Sequence, residues 1–170
     1  MAKEIQILSK SEKDTIHIAR TIAPLFHAGD LIVLSGDLGA GKTHFVKGFT
    51  EGYHSKDLVT SPTFSIANFY RTNQFDILHI DLYRITTIEE FLDLGLTDYF
   101  DQSVVLVEWG TKFADCFEDY MLISLASKKY NERLITFAGN GGKYESIIEH
   151  INEKSLQDRS RLLVNSFTKK

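Results

Sequence analysis

The chain has 170 residues, 43 % of them hydrophobic and 25 % charged, with a net charge of −4. That is the balance of one globular domain with a substantial core, and the charge argues against any general affinity for DNA or an anionic membrane surface. The single cysteine, Cys116, excludes an intrachain disulfide and suits a reducing compartment. With neither a signal-like leader in residues 1–14 nor an apolar run of membrane-spanning length, the expectation is a soluble, cytoplasmic protein.

In chain order, residues 5–8 read as a short strand. Ser11, followed three residues later by Asp14, has capping-box spacing. It predicts a helix with Ile16, Ala19, Ile22 and Ala23 on one face, ended or kinked at Pro24. Residues 27–30 turn into Leu31-Ile32-Val33-Leu34, an unbroken aliphatic run typical of a buried parallel strand. The run leads straight into Gly36-Asp37-Leu38-Gly39-Ala40-Gly41-Lys42-Thr43, the spacing G-x-x-x-x-G-K-[ST]. The glycines let backbone N–H groups turn inward around a phosphate where a Cβ would resist. Lys42 offers a point charge to the β- and γ-phosphates, and the Thr43 hydroxyl can ligate Mg²⁺. His44 then opens a helix, over residues 44–53, whose N-terminus faces the phosphates. Strand, loop and helix together separate this pattern from a stray glycine turn and point to a nucleoside triphosphate.

Residues 60–64 are Thr-Ser-Pro-Thr-Phe. Pro62 holds Ser61 extended. The hydroxyls of Ser61 and Thr63 beside a rigid proline suit a loop approaching a phosphate or metal; a plain strand-entry turn is the other reading. Residues 64–70 and 75–81 predict a hairpin, hence an antiparallel element in an otherwise parallel sheet. Residues 86–94 read as a helix, with Thr87 and Glu90 at capping-box spacing and Gly95 closing it. Residues 103–109 form the strongest buried-strand signal after the first. A short helix over 112–120 follows. A second hairpin comes next, over 121–127 and 133–138, turning at Lys128-Lys129-Tyr130-Asn131. Residues 139–142 read as a loop and 143–150 as a helix with Ile147, Ile148 and Ile151 inward. The division expected is one domain over 1–151 and a basic tail over 152–170, carrying Arg159, Arg161, Lys169 and Lys170. The tail is a solvated appendage or an arm for a partner or RNA.

A P-loop nucleotidase needs a carboxylate at the end of a buried strand. Asp81 and Glu108 both stand at such ends. The Glu108 strand is more uniformly apolar, so it is expected beside the P-loop strand, with Glu108 at the metal and Asp81 next to it or near the attacking water. His79, mid-strand among apolar residues, reads as a hydrogen-bonded core histidine. Trp109 is either a core ring or one facing a partner or base, and Cys116 an inert thiol in the core or near the surface.

Five segments then occur in order: GDLGAGKT at 36–43, SPTF at 61–64, HIDLYR at 79–84, GLTDYF at 95–100 and VEW at 107–109. On these the chain resembles the TsaE family, also called YjeE, bacterial ATPases of the threonylcarbamoyl modification of tRNA adenosine. The resemblance spans residues 5–150 and has no counterpart for the tail. It implies a small P-loop α/β fold, its mixed, mostly parallel sheet flanked by helices and carrying antiparallel hairpins. It implies ATP on the P-loop, Mg²⁺ at Thr43 and Glu108, and Lys42, Asp81 and Glu108 as the catalytic groups. Ser11 or Glu12 would approach the base side. Ser61, Pro62, Thr63 and Phe64 would act as a switch, with Arg84 and Trp109 on the partner-facing side. The activity implied is ATP hydrolysis that resets a TsaD–TsaB heterodimer, with tRNA met only through that complex; the chain itself offers no obvious arginine poised over the γ-phosphate, so hydrolysis is expected to be slow alone.

Two other readings share the nucleotide site. A small-metabolite kinase usually has an arginine-rich lid, but the six arginines form no lid-like cluster. A nucleotide-gated assembly module differs only in lacking turnover. No N-K-x-D segment is present to read guanine. Arg84 is the nearest arginine, by motif, to a γ-phosphate.

Overall fold

The computed structural model describes residues 3–157 and 163–168. The first half of the chain forms β1 (Lys3–Ser9), α1 (Glu12–Ile22), β2 (Leu31–Ser35), α2 (Lys42–Gly52), β3 (Ala67–Tyr70) and β4 (Asp76–Asp81). The second half forms α3 (Ile88–Asp93), β5 (Ser103–Glu108), β6 (Tyr120–Ser127), β7 (Arg133–Asn140), α4 (Gly142–Gln157) and β8 (Leu163–Thr168). One sheet holds all eight strands in the order β3-β4-β5-β2-β6-β7-β1-β8. Its centre, β4, β5, β2 and β6, is parallel throughout. The hairpins β3–β4 and β6–β7 and the pairs β1–β7 and β1–β8 are antiparallel. Strand β5 lies directly beside β2, as its apolar sequence predicts.

Composition explains the layering. Every position of β5 and four of the five in β2 are buried, because helices or turns cover both faces of a central parallel strand. Strand β6 instead alternates buried and half-buried positions along most of its length, the pattern of a hairpin strand with one solvated face. Under α1, α2 and α4 lies an apolar layer that includes Phe26, Phe45, Phe49, Phe137 and Ile151. Under α3 and a 3₁₀ turn at Gly110–Cys116 lies a second, built on Leu78, Ile80, Val105, Val107, Phe91 and Phe113. Tyr144 of α4 is buried, and its hydroxyl accepts from the Leu31 N–H at 2.8 Å. That bond anchors the start of the P-loop strand to a helix more than a hundred residues later.

Local chemistry shifts several boundaries. Ser11 caps α1 by accepting from the Asp14 N–H, but the Asp14 carboxylate accepts from Lys10 rather than from Ser11, so only half of a capping box forms. On α1 it is Ile18, not Ile16, that is fully buried beside Ala19 and Ile22. The Thr87–Glu90 box is complete. Residues 64–66 turn before β3 starts: the Ile66 N–H donates to the Pro62 carbonyl at 2.7 Å. The helix expected over 112–120 is instead the 3₁₀ turn, and Tyr120 already belongs to β6. Gly139 and Asn140 end β7 instead of forming a loop. Cys116 is exposed. Helix α4 runs through residue 152 to Gln157, and Lys154 Nζ donates to the Thr21 carbonyl at 3.2 Å. Arg159, Arg161, Lys169 and Lys170 lie outside the described residues. No helix among the described residues is long and apolar enough to cross a membrane.

Helices α1 and α2 pack closely because Gly48 and Gly52 face α1. A Cβ on Gly48 would collide with the Ile16 carbonyl, and one on Gly52 would meet the Ala23 Cβ at 2.6 Å. At Gly142 an added Cβ has nothing within 4 Å. Gly48→Ala should therefore destabilise the fold by about 1–3 kcal/mol or more through overpacking against backbone. Gly142→Ala should be neutral or slightly stabilising. Urea titration of both variants checks the contrast.

Candidate functional site

The C-terminal ends of the parallel strands converge on one cavity of about 650 Å³, within the range of small-ligand sites. Its floor is the loop between β2 and α2. Gly36 sits at φ +147°, and a Cβ there would meet the Leu125 carbonyl at 2.6 Å. Gly41 sits at φ +103° as the N-cap of α2. Both positions need glycine for the loop to curl. Helix α2 starts at Lys42, so the unpaired N–H groups of its first turn open toward the cavity. Lys42 is only 6 % exposed. Its Nζ donates to the carbonyls of Gly36 at 2.7 Å and Asp37 at 3.0 Å, and lies 4.7 Å from the centre of the Trp109 ring. Thr43, His44, Gly39 and Leu38 also line the cavity. Ala40 is buried, whereas the Asp37 side chain is exposed and contributes only its carbonyl. Leu38 stands at the mouth, 93 % exposed.

Asp81 and Glu108 are register partners at the ends of β4 and β5. Both are nearly buried and both line the cavity. They have different partners. Asp81 Oδ1 accepts from the Tyr83 N–H at 2.8 Å, and Oδ2 accepts from the Thr63 hydroxyl at 3.1 Å. Glu108 Oε1 lies 2.8 Å from Nε2 of the fully buried His79.

The loop over 60–64 forms one wall. Pro62 is buried, Ser61 Oγ lies 2.8 Å from Thr63 Oγ1, and Phe64 points outward at 92 % exposure. Tyr83 and Trp109 meet edge to face at 5.1 Å on the same rim. Arg84 is not over the cradle: it donates to the Thr63 and Phe64 carbonyls at 2.7 and 3.1 Å and so holds the loop. The arginine on the cavity wall is Arg133, whose Nε donates to the Ala40 carbonyl at 3.0 Å. Asn131 lines the cavity beside it. Neither stands out in the sequence. Their signal is the β6–β7 turn, and only the pairing of β6 with β2 brings that turn to the P-loop. Glu12 and Thr15 of α1 complete the lining; Thr15 bonds Ser9, the register partner of Arg133, and Glu12 Oε2 lies 3.7 Å from His44 Nε2. Ser11 is engaged in capping α1.

This constellation can do defined chemistry. A helix N-terminus and a buried ammonium favour a polyphosphate. Two carboxylates and a hydroxyl are hard oxygen donors suited to Mg²⁺.

Comparisons with known proteins agree with that reading of the loop. The family model for threonylcarbamoyl adenosine biosynthesis protein TsaE matches residues 9–135. A Bacillus subtilis (strain 168) protein named tRNA threonylcarbamoyladenosine biosynthesis protein TsaE is 37 % identical over 152 residues, 88 % of this chain and 95 % of its own. A protein of the same name from Treponema pallidum (strain Nichols) is 34 % identical over 136 residues, 79 % of this chain and 100 % of its own. The crystal structure of Bacillus subtilis YdiB superposes with a TM-score of 0.78 at 33 % identity, covering 91 % of this chain and 97 % of that one. The matched span holds the P-loop, both strand-end acids and the loop that Thr63 ties to Asp81, and the chain belongs to the TsaE family.

Proposed function

We propose that this protein binds and hydrolyses ATP with Mg²⁺ in the biosynthesis of tRNA threonylcarbamoyladenosine, acting in the cytoplasm on a TsaD–TsaB heterodimer. The observation that carries the reading is the pair of buried acids, Asp81 and Glu108, held level beside the P-loop and Lys42. The names of the relatives supply the pathway.

In this reading the first turn of α2 and Lys42 hold the phosphates. Thr43 and Glu108 would hold the metal, with Asp81 beside them. The donor set fits: Mg²⁺ in phosphate sites takes one or two carboxylates and keeps phosphate and water for the rest. When bound, the ion neutralises charge on the β- and γ-phosphate oxygens. Hydrolysis places a water oxygen on the γ-phosphorus and breaks its bond to the bridging oxygen of ADP. Asp81, tied to the Thr63 hydroxyl, is placed to orient that water. The base end falls to Glu12, Thr15, His44, Asn131 and Arg133; the β6–β7 hairpin that carries the last two lies across β2 from the strands that carry the acids. Among the described residues Arg84 is committed to the loop carbonyls and Arg133 to Ala40, which supports slow turnover alone. A partner that supplied the missing cation would stabilise the transition-state charge. Phe64, Leu38 and Tyr83, exposed on the rim, are the surface on which TsaD–TsaB would dock; tRNA is reached only through that complex.

Lys42→Ala should weaken ATP binding about 10- to 100-fold, the equivalent of one or two charge-assisted hydrogen bonds. Thr43→Ala should mainly reduce Mg²⁺-dependent turnover. Calorimetric titration and phosphate release measure the two effects, and wild-type behaviour in both variants would sink the assignment. Glu108→Gln should raise the Mg²⁺ requirement for hydrolysis more than Asp81→Asn does; the reverse order would exchange the two roles. Intrinsic turnover should be about 10⁻⁴ to 10⁻² s⁻¹, rising by a factor on the order of 10³ or more with a partner arginine. Phosphate release with and without added TsaD–TsaB tests this. Thr63→Ala or Trp109→Ala should uncouple that docking from hydrolysis. A fast enzyme indifferent to the heterodimer would contradict the mechanism, and nucleotide-dependent docking without phosphate release would leave an assembly module in place of an ATPase.

A further inference from the structure

The fully buried His79 sits in β4 among Ile77, Leu78 and Ile80, none of which has any exposed surface. A polar ring in that position costs free energy unless its nitrogens are partnered. Both are. Nε2 faces Glu108 Oε1 at 2.8 Å, and Nδ1 lies 3.3 Å from the Tyr70 hydroxyl. Tyr70, on the edge strand β3 and itself 3 % exposed, donates to the Thr60 carbonyl at 3.0 Å. Burial raises the Tyr70 hydroxyl above the ordinary tyrosine range, which keeps it protonated as that donor. The contacts therefore run without a gap from β5 across β4 to β3, and end on the backbone where the 60–64 loop begins.

We propose that His79 and Tyr70 are positioning residues that tie the Glu108 carboxylate to the 60–64 loop, so that the loop's placement and the acid's orientation change together. The inference rests on the nucleotide reading above and says how that site is kept in register. The loop is held at one end by β3 and at the other by an acid of β4. Thr60 is reached through Tyr70, His79 and Glu108, while Thr63 bonds Asp81 directly. Asn68 adds a second tie to the Thr60 carbonyl at 3.2 Å. Just past the loop, the β-branched Ile66 sits at φ +70°, a conformation such residues keep only where their surroundings impose it. A histidine serving the core alone could satisfy its nitrogens on any nearby carbonyl. This one spends one nitrogen on a cavity-facing carboxylate and the other on the loop's anchor. With Oε1 taken by His79, the remaining Glu108 oxygen is free to face the cavity, in an orientation fixed by the ring. Coupling of this kind is reciprocal: loosening the loop must loosen the acid, and altering the acid must loosen the loop.

The test uses the full chain with Tyr70→Phe, His79→Leu, His79→Gln and Glu108→Gln. Trp109, the only tryptophan, follows Glu108 and reports the site by its emission. Mg²⁺ is titrated into the ATP-bound protein, and amide hydrogen exchange is followed over residues 58–65. His79→Leu should raise the Mg²⁺ midpoint about ten-fold, the usual cost of losing the partner that orients a metal ligand, and Tyr70→Phe, which leaves that partner in place, about three-fold, both with ATP affinity without Mg²⁺ kept within about two-fold. His79→Gln, whose amide N–H can stand where Nε2 does but does not reach Tyr70, should bring the shift back to the Tyr70→Phe level. Exchange in residues 58–65 should speed up in Tyr70→Phe and, by reciprocity, in Glu108→Gln. Tyr70→Phe removes one hydroxyl and keeps the ring, so it speaks even if His79→Leu fails to fold. A Tyr70→Phe protein with an unchanged midpoint, or with unchanged loop exchange, overturns the coupling, as does a His79→Gln protein no better than His79→Leu. A wild type whose emission ignores ATP and Mg²⁺ overturns the nucleotide reading and this inference with it; a responsive wild type matched by its variants overturns the inference alone.

Discussion

The parallel pairing of β2 with β5, and of β5 with β4, is the constraint on which the site depends. Leu34 pairs with Glu108, and Glu108 with Asp81. Three strand ends are thereby brought level, one carrying the P-loop and two carrying acids. Parallel neighbours in register place partnered side chains on the same face of the sheet. Here that face also bears Ile32 and Leu34, buried beneath α1 and α2 with Phe45 and Phe49. The hydrophobic layer that closes the helices onto the sheet is thus the same one that aims His79, Asp81 and Glu108. A slip of one residue in β4 would turn His79 and Asp81 toward the opposite layer, where Leu78 and Ile80 now pack. Burial of those two leucine and isoleucine side chains is what forbids the slip.

Much of this was legible in the sequence because short, local physics decides it. The P-loop is written in glycine spacing, the α3 start in Thr87 and Glu90, and β2 and β5 in the apolar runs 31–34 and 104–107. The order β5 beside β2 could be argued from the apolar strand 103–108. What stayed hidden depends on contacts far apart in the chain. The turn at 128–132 reads as an ordinary basic hairpin tip, and nothing in its residues says that β6 pairs with β2 and carries Arg133 to the Ala40 carbonyl. Arg84 lies beside the HIDLYR acid in sequence, yet its guanidinium turns to the Thr63 and Phe64 carbonyls. The 3₁₀ turn at 110–116 misled the helix pattern because Gly110 packs against Val107 and Val33 too closely for a side chain, so the chain tightens there.

The two acids show how one layout produces two environments. Asp81 is bonded to the Thr63 hydroxyl and the Tyr83 N–H, both neutral donors from outside the strands. Glu108 is bonded to an imidazole inside a strand, in full burial. The first meets the loop directly; the second meets it only through His79 and Tyr70, across two strands of the sheet. A carboxylate oriented from within the sheet suits a ligand position, and one bonded to the loop itself suits a step that responds to what lies against the loop.

Trp109 completes the argument from strain. It follows Glu108 at φ +60°, in a region that costs a non-glycine residue about 1–2 kcal/mol. Glycine would adopt that turn without the cost, so the ring must return something. Its face lies 4.7 Å from Lys42 Nζ, and its edge packs against Tyr83. A cation over an indole face, desolvated as here, gains on the order of 0.5–2 kcal/mol, enough to offset the strain. The consequence is chemical. The partners that hold Lys42 are two carbonyls and a ring, all neutral, while both nearby carboxylates have partners of their own. The ammonium is therefore oriented without being neutralised, and an arriving phosphate has only dipoles to displace.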